Sequence, residues 1–351
     1  MILDIQLDQF IKFNINSIGV YRVCYDEQCL LDLGKQIESG NSLTDSDKIG
    51  LLSDVYHTAI SGHSSITFYL NFIFKFKNEK NPLVLEQVAI SLNNISSLFY
   101  KSSVEVQNGL NKLIASIFQP WAEKLGFNSE PSENPLLSTL RVTAISNFSK
   151  SANKEYIDSL LTLYHQLIQN QNPSVAKDLK PLLLKIAIRF GDEKEYQEIR
   201  TKFEIEKTMD QKLKALVALG STSNKNLIQT SLNYSICNAV RPQDTLTLIS
   251  ALAINSKARE DTWKFVKQNW NLFEARYKQN VSTLGNIIKS TAGLLTSKEE
   301  LKDIEKFFEG RDISAYKMAL NNTIEQVKIN STFVTKANKD LEIWLKENGF
   351  Q

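Results

Sequence analysis

Three histidines and three cysteines in 351 residues leave this chain short of the side chains that most often bind metals or act as nucleophiles. No H-E-x-x-H run occurs, and His57 and His63, with Gly62 between them, do not share a helical face. With His165 they read as surface or half-buried histidines. No G-x-S-x-G elbow, P-loop or dinucleotide fingerprint is present, and the 13 glycines fall at helix ends. Paired acids such as Asp192-Glu193 and Glu299-Glu300 sit in first helical turns, where the backbone dipole accounts for them. The inventory nominates no catalytic residue, no metal ligand and no cofactor for this chain.

Other scarcities narrow the setting. Cys24, Cys29 and Cys237 are too few for a disulfide framework and predict reduced thiols in a cytoplasmic protein. The first ten residues alternate Ile and Leu with Asp and Gln, so no signal peptide is expected. The most apolar window, Ile66 to Phe76, carries Asn71 and Lys75 and is too short to span a bilayer. Forty-one basic against 39 acidic residues, a net charge of +2, lack the electrostatic footprint of a nucleic-acid binder. Basic clusters such as Lys75 and Lys77 read as solvated helix faces. Neither nucleic acid nor membrane is an expected partner.

What remains is an ordinary folded composition, 42% hydrophobic and 23% charged, at a length that suits two domains or an elongated array. Phe10 to Asp26, FIKFNINSIGVYRVCYD, is the one β-rich stretch. Ile11, Phe13 and Ile15 alternate, Gly19 offers a turn, and Val20 to Tyr25 offers a second strand. This predicts a short β-hairpin remnant over residues 1–26, too small to bury a core and belonging to something larger. Parted from a β partner, it would expose apolar edges.

Residues 27–351 read as one α-helical domain with a looser joint near 127–135, where Pro131 and Pro135 lie close together. Apolar stripes and punctuation predict helices from Glu27 to Glu38, from Thr44 to Gly62, from Ser64 or Ser65 to about Lys77, from Pro82 to Phe99, and from Val104 to Leu125. Further helices are expected over 135–148, 154–170, 174–190 with a bend at Pro181, 192–206, 209–219, 224–237, 242–254, 257–278, 281–295, 298–309 and 314–348. Short loops between such helices, without an exact period, predict an all-α fold: an irregular HEAT- or armadillo-like α-solenoid, a superhelical bowl whose concave side would bind something.

Two features need weighing within that fold. Trp263, Phe265, Trp270, Phe273 and Tyr277 recur at steps of three and four and read as a core stripe, not a stacking platform. Arg241, just before Pro242 at a helix start, is open to two readings: an anion-facing residue on the concave side, or a partner for Asp244 or loop carbonyls.

Several ordered segments carry a family resemblance. FIKFNINSIGVYRVCYD resembles the opening of the C-terminal helical domain of gluzincin zinc aminopeptidases of the puromycin-sensitive and endoplasmic-reticulum type. LTDSDKIGLLSDVYHTAISG (Leu43 to Gly62), VRPQDTLTLISALAINSKAREDTWKFVKQNW (Val240 to Trp270) and STAGLLTSKEELKDIEKFFEGR (Ser290 to Arg311) are similar to later segments of it, in order. The resemblance covers essentially the whole chain. It implies a non-catalytic lid that encloses a peptide-sized chamber, limits substrate length and moves between open and closed forms. It places the zinc site, H-E-x-x-H with a downstream Glu, and the G-x-M-E-N loop in a catalytic domain that these residues do not include, so zinc is implied only there. Leu284-Gly285-Asn286 stands where some relatives have an Arg that reaches toward substrate, and Asn286 lacks that charge. Lys257-Ala258-Arg259 replaces a Gly-Arg pair.

Arg241 and Asn286 are the substrate-binding candidates. The implied partners are peptide substrate and an aminopeptidase catalytic domain, in cis or in trans. A stand-alone α-solenoid that binds peptides or proteins as an adaptor is the competing reading.

Overall fold

The computed structural model describes residues 10–40, 43–130, 132–169 and 175–351. The alternation of the first nine residues, Pro131 and the turn expected around 170–174 lie outside the described residues. The described residues form seventeen α-helices and no strand. The chain divides into two compact units, one comprising residues up to Leu125 with Ser132–Ser151 and Thr335–Gln351, the other Gly126–Pro131 with Ala152–Val334.

In the first unit, α1 (Glu27–Ser39), α2 (Asp45–Ile60), α3 (Ile66–Phe74), α4 (Pro82–Leu98), α5 (Val104–Leu125) and α6 (Pro135–Phe148) start where side chains can satisfy the free amides of a first turn. Asp26, Thr44, Ser65, Asn81 and Asn134 each accept a hydrogen bond from such an amide, and Pro82 and Pro135 take first positions that need no N–H. Alternate helices touch, α2 against α4 and α4 against α6, while α3 and α5 pack beside them. Leu51, Leu70, Leu85, Val88, Leu113 and Ala144 are buried in this core.

The second unit repeats the scheme with α7 (Lys154–Ile168), α8 (Lys180–Phe190), α9 (Glu193–Ile205), α10 (Met209–Leu219), α11 (Lys225–Ser235), α12 (Pro242–Ile254), α13 (Arg259–Gln268), α14 (Trp270–Arg276), α15 (Ser282–Thr291), α16 (Lys298–Phe308) and α17 (Lys317–Glu347), whose last residues count with the first unit. Helices α8, α10, α12 and α15 stack in one layer; α11 and α13 touch in another. Each hairpin thus hides its apolar stripe against the next, the packing logic of an α-solenoid. Both halves of a capping box form at Asp192 with Glu195 and at Ser297 with Glu300.

Three expectations need correcting. The lead-in is not a β-hairpin. Asn14, Asn16 and Ser17 adopt left-handed φ values of 54°, 55° and 55°, and Ile15–Ser17 close a single 3-10 turn. The Asn14 carboxamide explains this: its oxygen accepts the Gly19 amide at 2.7 Å and its Nδ2 donates to the Gly19 carbonyl at 3.0 Å. Such local side-chain bonds compete with strand pairing, and asparagine tolerates the left-handed region. Next, Pro181 does not bend a helix begun at 174; α8 begins at Lys180, so Pro181 sits in its first turn. Last, the helix expected over 257–278 is interrupted at Asn269 (φ −106°, ψ 16°), whose Nδ2 donates to the Phe265 carbonyl at 2.9 Å.

The lead-in lies instead along one face of α2. Lys12 Nζ is 3.5 Å from Asp47 Oδ1, both side chains buried, and the Asn16 amide donates to the same oxygen at 2.7 Å. About two turns further along α2, Ser53 accepts from Arg22 Nη1 at 2.8 Å and Asp54 lies 3.7 Å from that guanidinium. Between them Gly50 permits the close approach, since a Cβ there would stand 2.0 Å from Ser17 Oγ. Tyr25 closes the loop, its hydroxyl accepting the Phe13 amide at 3.1 Å.

Candidate functional site

The layer formed by α8, α10, α12 and α15 packs one side against the neighbouring helices and leaves a strip of each helix open. On α8 the strip is narrow, because Leu182, Leu183, Leu184, Ile186, Ala187 and Ile188 are all buried. Lys185 and Arg189, one turn apart, are the residues that face out. Surrounding protein lowers the pKa of both below the ordinary values, burial being the cause in each case, and no carboxylate among the described residues offsets it. Both side chains are nonetheless exposed, and the Arg189 guanidinium lies 5.9 Å from the Phe190 ring centroid. Two exposed cations one turn apart suit an anionic group.

On α10 the corresponding charge is satisfied, Lys214 pairing with Asp210 at 2.6 Å. On α12 the open positions are Gln243 and Ile254, with Thr247 and Ser250 half-buried; on α15 they are Ser282, Asn286 and Lys289. Asn286 therefore stands on an open strip. Its carbonyl accepts the Ser290 hydroxyl at 2.8 Å, an ordinary intrahelical bond.

Arg241 is engaged elsewhere. Its Nε and Nη2 donate to the two Asp244 oxygens at 2.7 and 3.2 Å, a two-pronged pair across the first turn of α12. Asp244 is buried, whereas the guanidinium is about half exposed. The pair joins other bonds that seat the helix start: Tyr277 Oη donates to the Pro242 carbonyl at 2.6 Å, and Thr245 Oγ1 to the Ser235 carbonyl at 2.9 Å. No hydrogen bond links Arg241 to Asn286 among the described residues.

Two features went unseen in sequence. Lys185 and Arg189 had one available signal, an isolated i, i+4 pair of bases in the otherwise apolar run PLLLKIAIRF. Arg259, noted in sequence only within the segment that replaces a Gly-Arg pair, is buried and donates to the carbonyls of Ala253 (3.0 Å), Ile254 (3.2 Å) and Leu294 (3.3 Å). It ties the end of α12 to the segment after α15.

The aromatic residues form core. Trp263, Trp270, Phe273 and Tyr277 are buried, and Trp270 meets Phe308 and Tyr316 edge-on at 5.3 and 5.5 Å. His57 stands edge-on to Tyr56, with its pKa lowered by burial and by Arg22, and His165 lies 3.7 Å from Glu195. Among the described residues no three His, Cys, Asp or Glu side chains gather in a group able to hold a metal, so these donors do not fit a zinc site. No helix among them is long and apolar enough to cross a membrane.

A sequence model of the family described as ERAP1-like C-terminal domain matches residues 10–329. The chain belongs to that family. Its relatives include Aminopeptidase 2, mitochondrial, of Saccharomyces cerevisiae, 23% identical over 99% of this chain and 36% of the relative. Aminopeptidase M1-D of Oryza sativa subsp. japonica is 24% identical over 95% of this chain and 38% of its own length. Glutamyl aminopeptidase of Bitis rhinoceros is 24% identical over 98% and 36%. The chain thus spans little more than a third of the curated relatives it matches, and it aligns with their C-terminal part. The ERAP1-like segments quoted above now have structural meaning: FIKFNINSIGVYRVCYD and the Asp47–Asp54 stretch clasp each other, and VRPQD seats the start of α12.

Proposed function

We propose that this chain serves as the non-catalytic C-terminal lid of a zinc aminopeptidase. It would enclose the chamber in which peptides lose their N-terminal residues and gate access to that chamber. Zinc and the water-activating carboxylate belong to the catalytic portion, in cis or in trans. The observation that carries this reading is the end-to-end match to the C-terminal third of aminopeptidases by a chain whose own donors do not fit a zinc site. The open strip of the α8–α15 layer supplies a peptide-facing surface, with Lys185 and Arg189 suited to the carboxylate end of a substrate and Asn286 available as a neutral hydrogen-bonding group. Arg241 would contact substrate through the exposed part of its guanidinium. The unpaired thiols Cys24, Cys29 and Cys237 suit a reducing, cytoplasmic setting.

The test is reconstitution. The zinc-bearing portion of an aminopeptidase from the same organism is assayed with and without this chain, on an aminoacyl amide and on peptides of increasing length. A lid changes the dependence of kcat/KM on peptide length. Identical kinetics with and without the chain refute the proposal. Tight peptide binding by this chain alone, with no association to the zinc-bearing portion, identifies an adaptor instead.

A further inference from the structure

Asn108-Gly109 and Asn348-Gly349 are the two Asn-Gly pairs of the chain. In such a pair the glycine nitrogen readily reaches the asparagine side-chain carbonyl carbon, because no Cβ stands in its way. The glycine nitrogen bonds to Asn Cγ, the Cγ–Nδ2 bond breaks, and Nδ2 leaves as ammonia with the proton lost from the glycine amide. Water then opens the cyclic imide at either carbonyl. One opening gives aspartate; the other reroutes the backbone through the side chain and gives isoaspartate. As sequence the two pairs are equivalent, and the fold makes them different. Asn108-Gly109 lies inside α5, where the helical ladder commits the Gly109 amide to a carbonyl four residues back and Gly109 is buried. Asn348-Gly349 directly follows the last residue of α17, and both residues are exposed.

At that end the chain makes a hook. Gly349 adopts φ 78°, its amide donates to the Lys346 carbonyl at 3.2 Å, and the Phe350 amide donates to the Leu345 carbonyl at 2.9 Å, so α17 closes in a left-handed cap. Asn348 Nδ2 donates to the Trp344 carbonyl at 2.8 Å. Phe350 stacks on Trp344 at 6.1 Å and meets Phe74 edge-on at 6.4 Å, while Trp344 Nε1 donates to Asn71 Oδ1 at 2.7 Å. In the closed hook the attacking nitrogen and the leaving amide are therefore both held by hydrogen bonds. Helix ends open far more often than helix interiors. We propose that Asn348 is a site of spontaneous deamidation and isoaspartate formation, gated by opening of this hook. The product then keeps the hook open. Its rerouted backbone holds an extra methylene, which moves Gly349 and Phe350 out of register with the Lys346 and Leu345 carbonyls, and its new carboxylate meets the negative end of the helix. The proposal needs no partner and is independent of the lid reading.

The experiment ages the whole chain in mildly alkaline buffer, with and without urea, and digests it. Mass spectrometry with fragmentation that separates isoaspartate from aspartate then reads the peptides bearing residues 108 and 348. In the folded chain isoaspartate should accumulate at residue 348 about tenfold or more faster than at residue 108, and in urea the two rates should converge. Phe350→Ala removes the ring that seats the hook without touching the reacting groups. It should speed the reaction at residue 348 several-fold and leave residue 108 as in wild type, with an unchanged far-ultraviolet spectrum showing that the variant is folded. In the modified fraction the amides of residues 349 and 350 should lose protection from hydrogen exchange. Asn348→Asp, which supplies the charge without the extra methylene, should lose less. A folded wild type in which residue 348 reacts no faster than residue 108 overturns the proposal, and so does a difference that persists in full in urea. An unchanged rate at residue 348 in folded Phe350→Ala overturns it as well, because the hook then gates nothing.

Discussion

Asp47 and Asp54 stand two turns apart on α2, both buried and both facing the lead-in, yet their replacement by asparagine should act in opposite directions. Burial raises the pKa of Asp47, but the Asn16 amide, the Thr44 hydroxyl and amide and the Lys12 ammonium outweigh it and hold the carboxyl below its ordinary value. Asp47→Asn keeps one acceptor oxygen but removes the charge and turns an NH2 toward Lys12 and Thr44. Losing a charge-assisted bond and leaving a buried ammonium without its counter-ion costs about 2–4 kcal/mol. At Asp54 burial wins over the Val23 amide and Arg22, and the pKa is raised. An asparagine there still accepts the Val23 amide and escapes the desolvation penalty, so the change should lie within about 1 kcal/mol of neutral or stabilise.

The pH dependence follows with the same signs. The Asp47 contribution is complete above the unfolded carboxyl pKa, about 3.9, and disappears as pH falls through its depressed folded value. The Asp54 penalty is present above its raised folded pKa and is relieved as pH falls through it. On acidification from neutrality the clasp should therefore first tighten and then, in more acid solution, fail. Hydrogen exchange of the amides of residues 12–25, corrected for intrinsic rates, reads this directly. Equal loss of protection in Asp47→Asn and Asp54→Asn, or none in Asp47→Asn, would refute the reasoning.

Other consequences are equally open to measurement. Gly50→Ala improves helix propensity by up to about 1 kcal/mol but drives a Cβ to 2.0 Å from Ser17 Oγ, so exchange at residues 12–25 should rise while the thermal midpoint barely moves, and Ser17→Gly should restore protection. Arg259→Met strips the donors from three carbonyls in a buried site and should lower stability to urea by about 3 kcal/mol or more; Arg259→Lys should rescue little of it, since an ammonium lacks the fork that reaches all three. In the reconstituted enzyme, Lys185→Ala with Arg189→Ala should raise KM for peptides with a free C-terminal carboxylate about tenfold and leave C-amidated peptides unchanged, an effect of about 1.4 kcal/mol. Equal effects on both peptide classes would remove the carboxylate from the explanation.

The helical elements were legible because their signals are local. Thr44, Asn81, Asn134 and Ser297 are short-range punctuation, and a cap and the amide it satisfies sit within one turn of each other. The failures have the same physical origin. Alternation in FIKFNINSI reads as a strand only if the asparagines are ignored, and Asn14 bonding to Gly19 is a competitor that a period-two count does not register. Asn269 interrupts a good helical pattern through its own backbone angles, its side chain adding a second bond to the Phe265 carbonyl that its amide already holds. At the candidate site, Arg241 could be singled out from its place before Pro242 and Asp244, but its two bonds to Asp244 decide how much of its charge is spent.

From the order of its residues alone this chain reads as a run of capped amphipathic helices, because that property depends on neighbours within a few positions. Tertiary structure decided which charges are neutral and which are free. Asp47 is quenched by Lys12 and Asn16, some thirty residues earlier, while no carboxylate among the described residues folds back to meet Lys185 and Arg189. It also decided that the lead-in runs along α2, passing close to Gly50, with Phe13, Ile15, Ile18, Val20 and Tyr21 left exposed.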